Sequence, residues 1–398
     1  MSSYMIKAVL SNPRHPEYGQ ITIPFPIPNE EYDHSMELLK GMDFGDALQR
    51  DCQVDEVDSY YEVLKRMEGQ SVNVDELDYL AKRLESFRVG EEAQFQGMAA
   101  RLDISDITDF INLTFCCQQA MVITDFSDLK KVGQDHYMNL HGGSASIEEL
   151  KNLDSYETAL LLIDSGAGQV TPYGVVYDNG MKLEQLYDGR HFPGYLYEPP
   201  VLTLEAASAQ GIVTGVLCLP ASEQQLQRLR LRAEIDSPDT WLRVTMDELP
   251  EKVAEALDLE HLSGDDLPGL NRLCRAIGPM KEADMEKLNA VVLLADTSGI
   301  YPLCQLGENL DQFDFVPGIH TPEEYGKYMI QESGHFEYDE SLEGFYDYRR
   351  YGEQRIREEG GQFNECGYVA YHGTLSLEEL MREDPAEQYQ REQGQQMM

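Results

Sequence analysis

The chain has 398 residues, 42% of them hydrophobic, which is enough for packed cores in two or three domains and too much for wholesale disorder. Its 31 basic residues against 72 acidic ones leave a net charge of −41, and this excludes the basic patches that direct DNA binding needs. No run approaches the roughly 18–20 apolar residues of a membrane span, and the opening MSSYMIKAVLSNPRHPEYG lacks the charged-then-apolar plan of a signal peptide, so a cytoplasmic protein is expected.

In chain order, residues 1–65 read as an α+β domain: QITIPFPIPNEEYDHSMELL is an apolar strand, then prolines, then a helix opening on acidic residues. Residues 66–140 read as a helical bundle. Within it VDELDYLAKRLESFRVGEEAQFQGMAARLDISDITDF (74–110) has Leu77, Leu80 and Leu84 at amphipathic spacing, then a turn, a second helix, and a short third one starting near Ser105. Residues 141–200 look like a β-rich insert, because Asp178-Asn179-Gly180 stands between two alternating runs, a strong hairpin signal.

The chain then begins again. GIVTGVLCLPASEQQLQRLRL makes 201–262 a second strand–Pro–helix domain, and 263–310 is a second bundle whose residues 267–303 align with 74–110 without a gap. Leu270, Leu273, Ile277, Leu288, Val292, Ile300 and Leu303 match Leu77, Leu80, Leu84, Phe95, Ala99, Ile107 and Phe110. Outside the bundles, DHYM (135–138) pairs with GKYM (326–329), and HGGSASIEEL (141–150) with HGTLSLEEL. Residues 311–380 form an acidic α+β domain, and 381–398 a polar, low-complexity tail expected to be disordered. The expected fold class is α+β: an elongated multidomain chain of small antiparallel sheets and helical bundles with an internal duplication.

The motifs are structural rather than chemical. In HTPEEYGKYMIQESG, Thr321 caps a helix, Pro322 takes its first position, Glu324 closes a capping box and Gly334 ends it. His335, Glu337, Asp339 and Glu340 match no metal-binding loop of known mechanism. HGGSAS lacks the serine position of a nucleophile elbow, DSGAGQ lacks the lysine of a phosphate-binding loop, and no H-E-x-x-H or C-x-x-C occurs, so neither enzyme chemistry nor a cofactor is expected. The seven cysteines, Cys52, Cys116, Cys117, Cys218, Cys274, Cys304 and Cys366, read as reduced and mostly buried thiols.

Charge is the informative feature. In successive blocks of fifty residues the excess is −3, −7, −5, −4, −3, −5 and −8, with −6 in the last forty-eight, so the acid covers the body of the chain and is not a tail. Clusters recur. Asp51, Asp55, Glu56 and Asp58 form one; Asp103, Asp106 and Asp109, at three-residue spacing, would share one helix face. The richest comprises Glu323, Glu324, Glu332, Glu337, Asp339, Glu340, Glu343 and Asp347, with Asp311 and Asp314 as further candidates, and overlaps YDESLEGFYDYRRYGEQ (338–354), where carboxylates and tyrosines share one segment. Any one cluster is explained by a solvated face. Their recurrence with so few bases points to a functional surface. Duplex DNA carries one charge per about 1.7 Å, so 41 charges correspond to about 70 Å of duplex.

LNRLCRAI (270–277), EEYGKYMIQESGHF (323–336), GFYDYRRYGEQ (344–354) and YVAYHG (368–373) resemble the ArdA antirestriction proteins over most of residues 205–375, most specifically in Tyr348, Tyr351 and Gly352 after the helix with Tyr328. The resemblance implies non-enzymatic, acidic, three-domain proteins whose carboxylates imitate DNA phosphates in the DNA-binding groove of type I restriction–modification enzymes. The implied partner is the methyltransferase core, with its specificity and modification subunits; DNA itself and membranes are not partners. The first half looks like a diverged copy. The chain is more than twice the usual length of the family, so two copies in one chain could replace part of a homodimer. Two other readings stand beside this one: an acidic adaptor for another basic nucleic-acid-handling protein, and an enzyme hosted by residues 157–197 with Asp188, Arg190 and His191 as its first candidates.

Overall fold

A computed structural model describes residues 4–335 and 337–382, so the tail expected over 381–398 lies, but for its first two residues, outside the described residues. The chain divides into two compact units, Met1–Tyr197 with Ser222–Glu234, and Glu198–Ala221 with Ile235–Met398. The fold class is α+β, with small antiparallel sheets among many helices. Among the described residues no helix is long and apolar enough to cross a membrane.

The first unit opens with β1 (Ile6–Ser11), β2 (Gln20–Phe25), α1 (Asn29–Gly41), β3 (Cys52–Ser59) and a short β4 (Ser71–Val72), in sheet order β2-β1-β3-β4. Alternation places Ile6, Ala8 and Leu10 of β1 on the buried face. A bundle follows: α2 (Val74–Glu85), α3 (Glu91–Arg101) and α4 (Ile107–Leu113). Asn73 and Glu76 form a capping box that starts α2, and Leu77, Leu80 and Leu84 point into the core with Phe95 and Phe110. Next come β5 (Met121–Ile123), α5 (Leu129–Leu140), α6 (Ile147–Asn152), α7 (Ser155–Asp164), β6 (Gln169–Thr171) and β7 (Gly174–Tyr177), in sheet order β5-β7-β6.

The second half repeats the plan. β8 (Leu202–Ser208), β9 (Val213–Leu219), α8 (Glu223–Arg232) and β10 (Thr240–Asp247) give the sheet order β10-β8-β9, with the first strand again in the middle. After α9 (Glu251–Ala256) the bundle is α10 (Leu267–Ile277), α11 (Glu282–Ala295) and α12 (Ile300–Glu308). The closing domain is β11 (Phe313–Pro317), α13 (Pro322–Gln331), a 3-10 turn over Glu340–Phe345, α14 (Tyr348–Glu359), β12 (Gln362–Phe363), β13 (Gly367–Tyr371) and α15 (Leu377–Leu380). Its order, β11-β13-β12, matches β5-β7-β6. The starts of α2 and α10 (74 and 267), α7 and α14 (155 and 348), β6 and β12 (169 and 362) and β7 and β13 (174 and 367) are all 193 apart, so the copies run in step from bundle to last strand.

This common offset corrects several expectations. Residues 141–200 are not a β-rich insert: α6, α7, β6 and β7 lie there, and with β5 and α5 they are the first copy's closing domain. DHYM and GKYM are two residues out of register, since the helix caps Asp128 and Thr321 are the equivalent positions. HGGSASIEEL is not the counterpart of HGTLSLEEL either. Ser146–Glu149 and Ser376–Glu379 look alike because each is a capping box, and α6 corresponds instead to the turn at 340–345. Asn179 and Gly180 do take the positive φ of a tight reversal (52° and 82°), but the chain beyond them forms no partner strand. It packs against α2: Phe192 stacks between Tyr79 and Tyr187, 4.6 and 4.8 Å between centroids.

α8 belongs to the first unit although the strands on either side of it belong to the second. Its Arg228 holds both Asp75 oxygens at 3.0 Å and Arg232 adds a bond at 3.2 Å, beside Tyr32, whose hydroxyl donates to the same carboxylate at 2.6 Å. Burial pushes the Asp75 carboxyl up, but the two guanidinium groups overcome this and hold it below the usual carboxylate range.

Candidate partner-binding surface

The acidic C-terminal cluster is built on α13 and α14. Thr321 and Glu324 form the expected capping box, with Pro322 in the first turn, and Asp347 caps α14 by accepting the amide of Arg350 at 3.1 Å. The main-chain amides of His320 and Thr321 and the Thr321 hydroxyl lower the pKa of Glu324, which marks it as a structural acid. The helices touch backbone to backbone. A Cβ on Gly326 would lie 1.9 Å from the carbonyl oxygen of Tyr348, and one on Gly352 would lie 1.8 Å from that of Pro322. Beneath them Tyr325 stacks on Tyr368 at 3.9 Å, and both hydroxyls donate to Glu359, which also binds Arg355. Glu359 is thus engaged inside the domain.

The other acids face solvent. Glu323, Glu332, Glu337, Asp339, Glu340, Glu343 and Asp347 are all exposed. Asp339 and Asp347 bind main-chain amides as helix caps. The carboxylates of Glu323, Glu332, Glu337, Glu340 and Glu343 have no hydrogen-bond or ion-pair partner among the described residues. Asp314 is exposed on β11, 3.8 Å from His372, and Asp311 is exposed in the turn before that strand. Arg349 pairs with Glu353 on its own helix at 3.0 Å, leaving the acids of 337–343 unneutralised. Tyr338, Tyr346 and Tyr348 form a ring ladder with centroids 5.8 and 5.7 Å apart. The side-chain amide of Gln331 reaches the hydroxyls of Tyr338 (3.0 Å) and Tyr348 (2.8 Å). The sequence reading missed Gln331, because its partners lie 7 and 17 residues away.

The first-unit clusters are different. Asp51 accepts the amides of Gly45 and Asp46 at 3.1 and 3.0 Å, and Asp55 accepts the side-chain amides of Gln20 and Gln53 at 2.9 and 3.1 Å. Asp58 accepts the Tyr4 hydroxyl at 3.2 Å and lies opposite Lys7, while Glu56 on the same strand is exposed. Asp103, Asp106 and Asp109 do not share a helix face, because the spacing straddles a junction between helices. Asp103 has a φ of 55° and pairs with Arg66 at 3.1 Å. Asp106 caps α4 and pairs with Arg50 at 3.0 Å; only Asp109 lies within the helix, accepting from Gln185 at 3.4 Å.

The offset of 193 also shows what stands opposite the acidic face. In place of Glu323, Glu332, Glu337, Asp339, Glu340, Glu343 and Asp347 the first copy has Lys130, Asn139, Ser144, Ser146, Ile147, Leu150 and Asp154. The helix crossing is retained: a Cβ on Gly133, the counterpart of Gly326, would lie 1.7 Å from the carbonyl oxygen of Ser155. The acidic face is therefore a property of the second copy and not of the fold.

Asp188, Arg190 and His191 do come together. Asp188 accepts both main-chain amides and the His191 ring nitrogen at 2.7 Å, and Arg190 binds Glu234 at 2.8 Å and main-chain carbonyls of α8. The arrangement is a turn tying residues 188–191 to α8. No protein-family model matches this chain, and no curated protein matches it.

Proposed function

We propose that the protein is an antirestriction factor: an acidic DNA mimic that occupies the DNA-binding groove of type I restriction–modification enzymes and blocks both restriction and modification. One observation carries the reading. Five exposed carboxylates have no hydrogen-bond or ion-pair partner among the described residues, Glu323 and Glu332 on and just after α13 and Glu337, Glu340 and Glu343 in the segment that joins α13 to the tightly crossed α14, in a chain of net charge −41. Free carboxylates on a rigid support accept charge-assisted hydrogen bonds from arginine and lysine, as phosphates do. An unpaired carboxylate array repels itself, so leaving it unneutralised lowers stability and is accounted for by a basic partner. The resemblance of residues 205–375 to the ArdA proteins names that partner, and such an enzyme places the protein in the cytoplasm.

The test is competition. Purified protein added to a type I enzyme with labelled duplex should displace the DNA and abolish cleavage and methylation together, with an effect that weakens steeply as salt rises. Unchanged cleavage and methylation at stoichiometric excess in low salt would refute the reading. Retention of a different basic nucleic-acid-handling protein from host lysate would then assign the same surface to an adaptor.

A further inference from the structure

Residues 337–347 present much of the acidic face, yet they contribute nothing to the buried core of their domain. That core comprises Ile319, Tyr325, Met329, Tyr368 and Ala370, with Val316, Tyr328, Tyr351, Ile356 and Phe363 packed against it. What holds the segment is the group described above. The half-buried Gln331, at the end of α13, donates to Tyr338 at the beginning of the segment and to Tyr348 at its end, and the Tyr346 ring fills the space between those two rings. One side-chain amide therefore closes a loop of carboxylates at both ends.

The first copy provides an internal control. It makes the same helix crossing, and its two helices start the same number of residues apart. The positions of Gln331, Tyr338, Tyr346 and Tyr348 are taken there by Met138, Ala145, Leu153 and Ser155. The fold forms without the clamp, and the copy that lacks the clamp also lacks the acids. We propose that Gln331 is a positioning residue: with Tyr338, Tyr346 and Tyr348 it preorganises the 337–347 carboxylates for a basic, arginine-bearing partner. The inference rests on the functional reading above for the identity of that partner, but not for the clamp itself. A segment already ordered loses little conformational freedom on binding, and that difference appears directly as affinity. The half-buried tyrosine ladder favours arginine over lysine, because a planar guanidinium stacks on the accessible part of the rings while its edge meets carboxylates.

The experiment compares the full chain with Gln331→Leu, which keeps the bulk and removes the donor, and with Tyr338→Phe/Tyr348→Phe, which removes the acceptors. Three quantities are read: amide hydrogen exchange over 337–347, affinity for an oligoarginine peptide at low salt, and inhibition of a type I enzyme. Both variants should exchange about tenfold faster in that segment, with an unchanged thermal midpoint, and should bind oligoarginine and inhibit the enzyme about tenfold more weakly. Adding Gln331→Leu to the double Phe variant should change nothing more. Unchanged exchange in the variants overturns the proposal, as does faster exchange with undiminished oligoarginine affinity, or a parent chain that does not bind the peptide. If the parent chain fails to inhibit the enzyme while the variants still lose peptide affinity, the clamp stands and only the identity of the partner is wrong.

Discussion

The two closing domains, 121–177 and 314–370, are the same structure with opposite surfaces. Each has a three-stranded sheet in the same order, two helices crossing at a glycine, and caps in step. Their charge budgets differ less than their faces do: eight acids and three bases in the first, thirteen and five in the second, a net −5 against −8. The difference is therefore one of placement. Ile147, Tyr156, Leu160 and Leu161, exposed in the first domain, stand where the second has Glu340, Arg349, Glu353 and Gln354. The comparison separates what the fold needs, which both domains keep, from what one domain does on top of it.

The most damaging way to probe the comparison is to remove an acid that the fold uses. Asp75→Ala leaves Arg228 and Arg232 buried without their carboxylate and should destabilise the first unit by about 3–5 kcal/mol in chemical denaturation. Because the native pKa of Asp75 lies below its unfolded value, its contribution is complete above the ordinary carboxylate range and is lost as pH falls through the native pKa. Acid unfolding of the parent chain should therefore be steeper than that of Asp75→Ala.

Next in size is the shared crossing. Gly326→Ala and Gly133→Ala each place a methyl group under 2 Å from a carbonyl oxygen and should lower stability by about 1–3 kcal/mol in thermal unfolding, to a similar degree in both copies. A large loss in only one copy would show that the crossings are not equivalent.

The free acids should behave in the reverse way. Glu337→Gln/Glu340→Gln/Glu343→Gln should leave stability within about 0.5 kcal/mol or raise it slightly, since surface charges without partners contribute little and repel one another. The same triple change should weaken DNA competition by more than tenfold, whereas neutralising Asp51, Asp55 and Asp58 should mainly reduce stability. The smallest effect is expected of a single change: Glu340→Gln should weaken inhibition about twofold, read as a shift in the midpoint of the competition curve, because a distributed surface loses little per charge.

Parts of this were legible in the sequence. The bundle repeat was visible because Leu77, Leu80 and Leu84 and their counterparts keep an apolar period that the fold cannot vary without losing its core. The caps at Ser146, Thr321 and Ser376 were visible because a cap is completed within three residues. The closing-domain repeat was hidden because its shared features are a helix crossing and a strand order. Few side chains record these beyond Gly133 and Gly326, while the surface between them has been replaced. The hairpin at Asn179-Gly180 was misread because the turn is real but the chain beyond it packs Tyr187 and Phe192 on α2 instead of pairing as a strand.

By itself the sequence determined the total charge, the helix starts and the apolar faces of the bundles, since each depends on composition or on neighbours within one helical turn. Only the tertiary structure decided which carboxylates are neutralised and which are free. Asp75 meets Arg228 across 153 residues and Glu76 meets Arg50 across 26, whereas Glu337, Glu340 and Glu343 meet no base among the described residues. Whether an acid is neutralised depends on what the fold brings within a few ångströms of it, and that distance is not set by position along the chain.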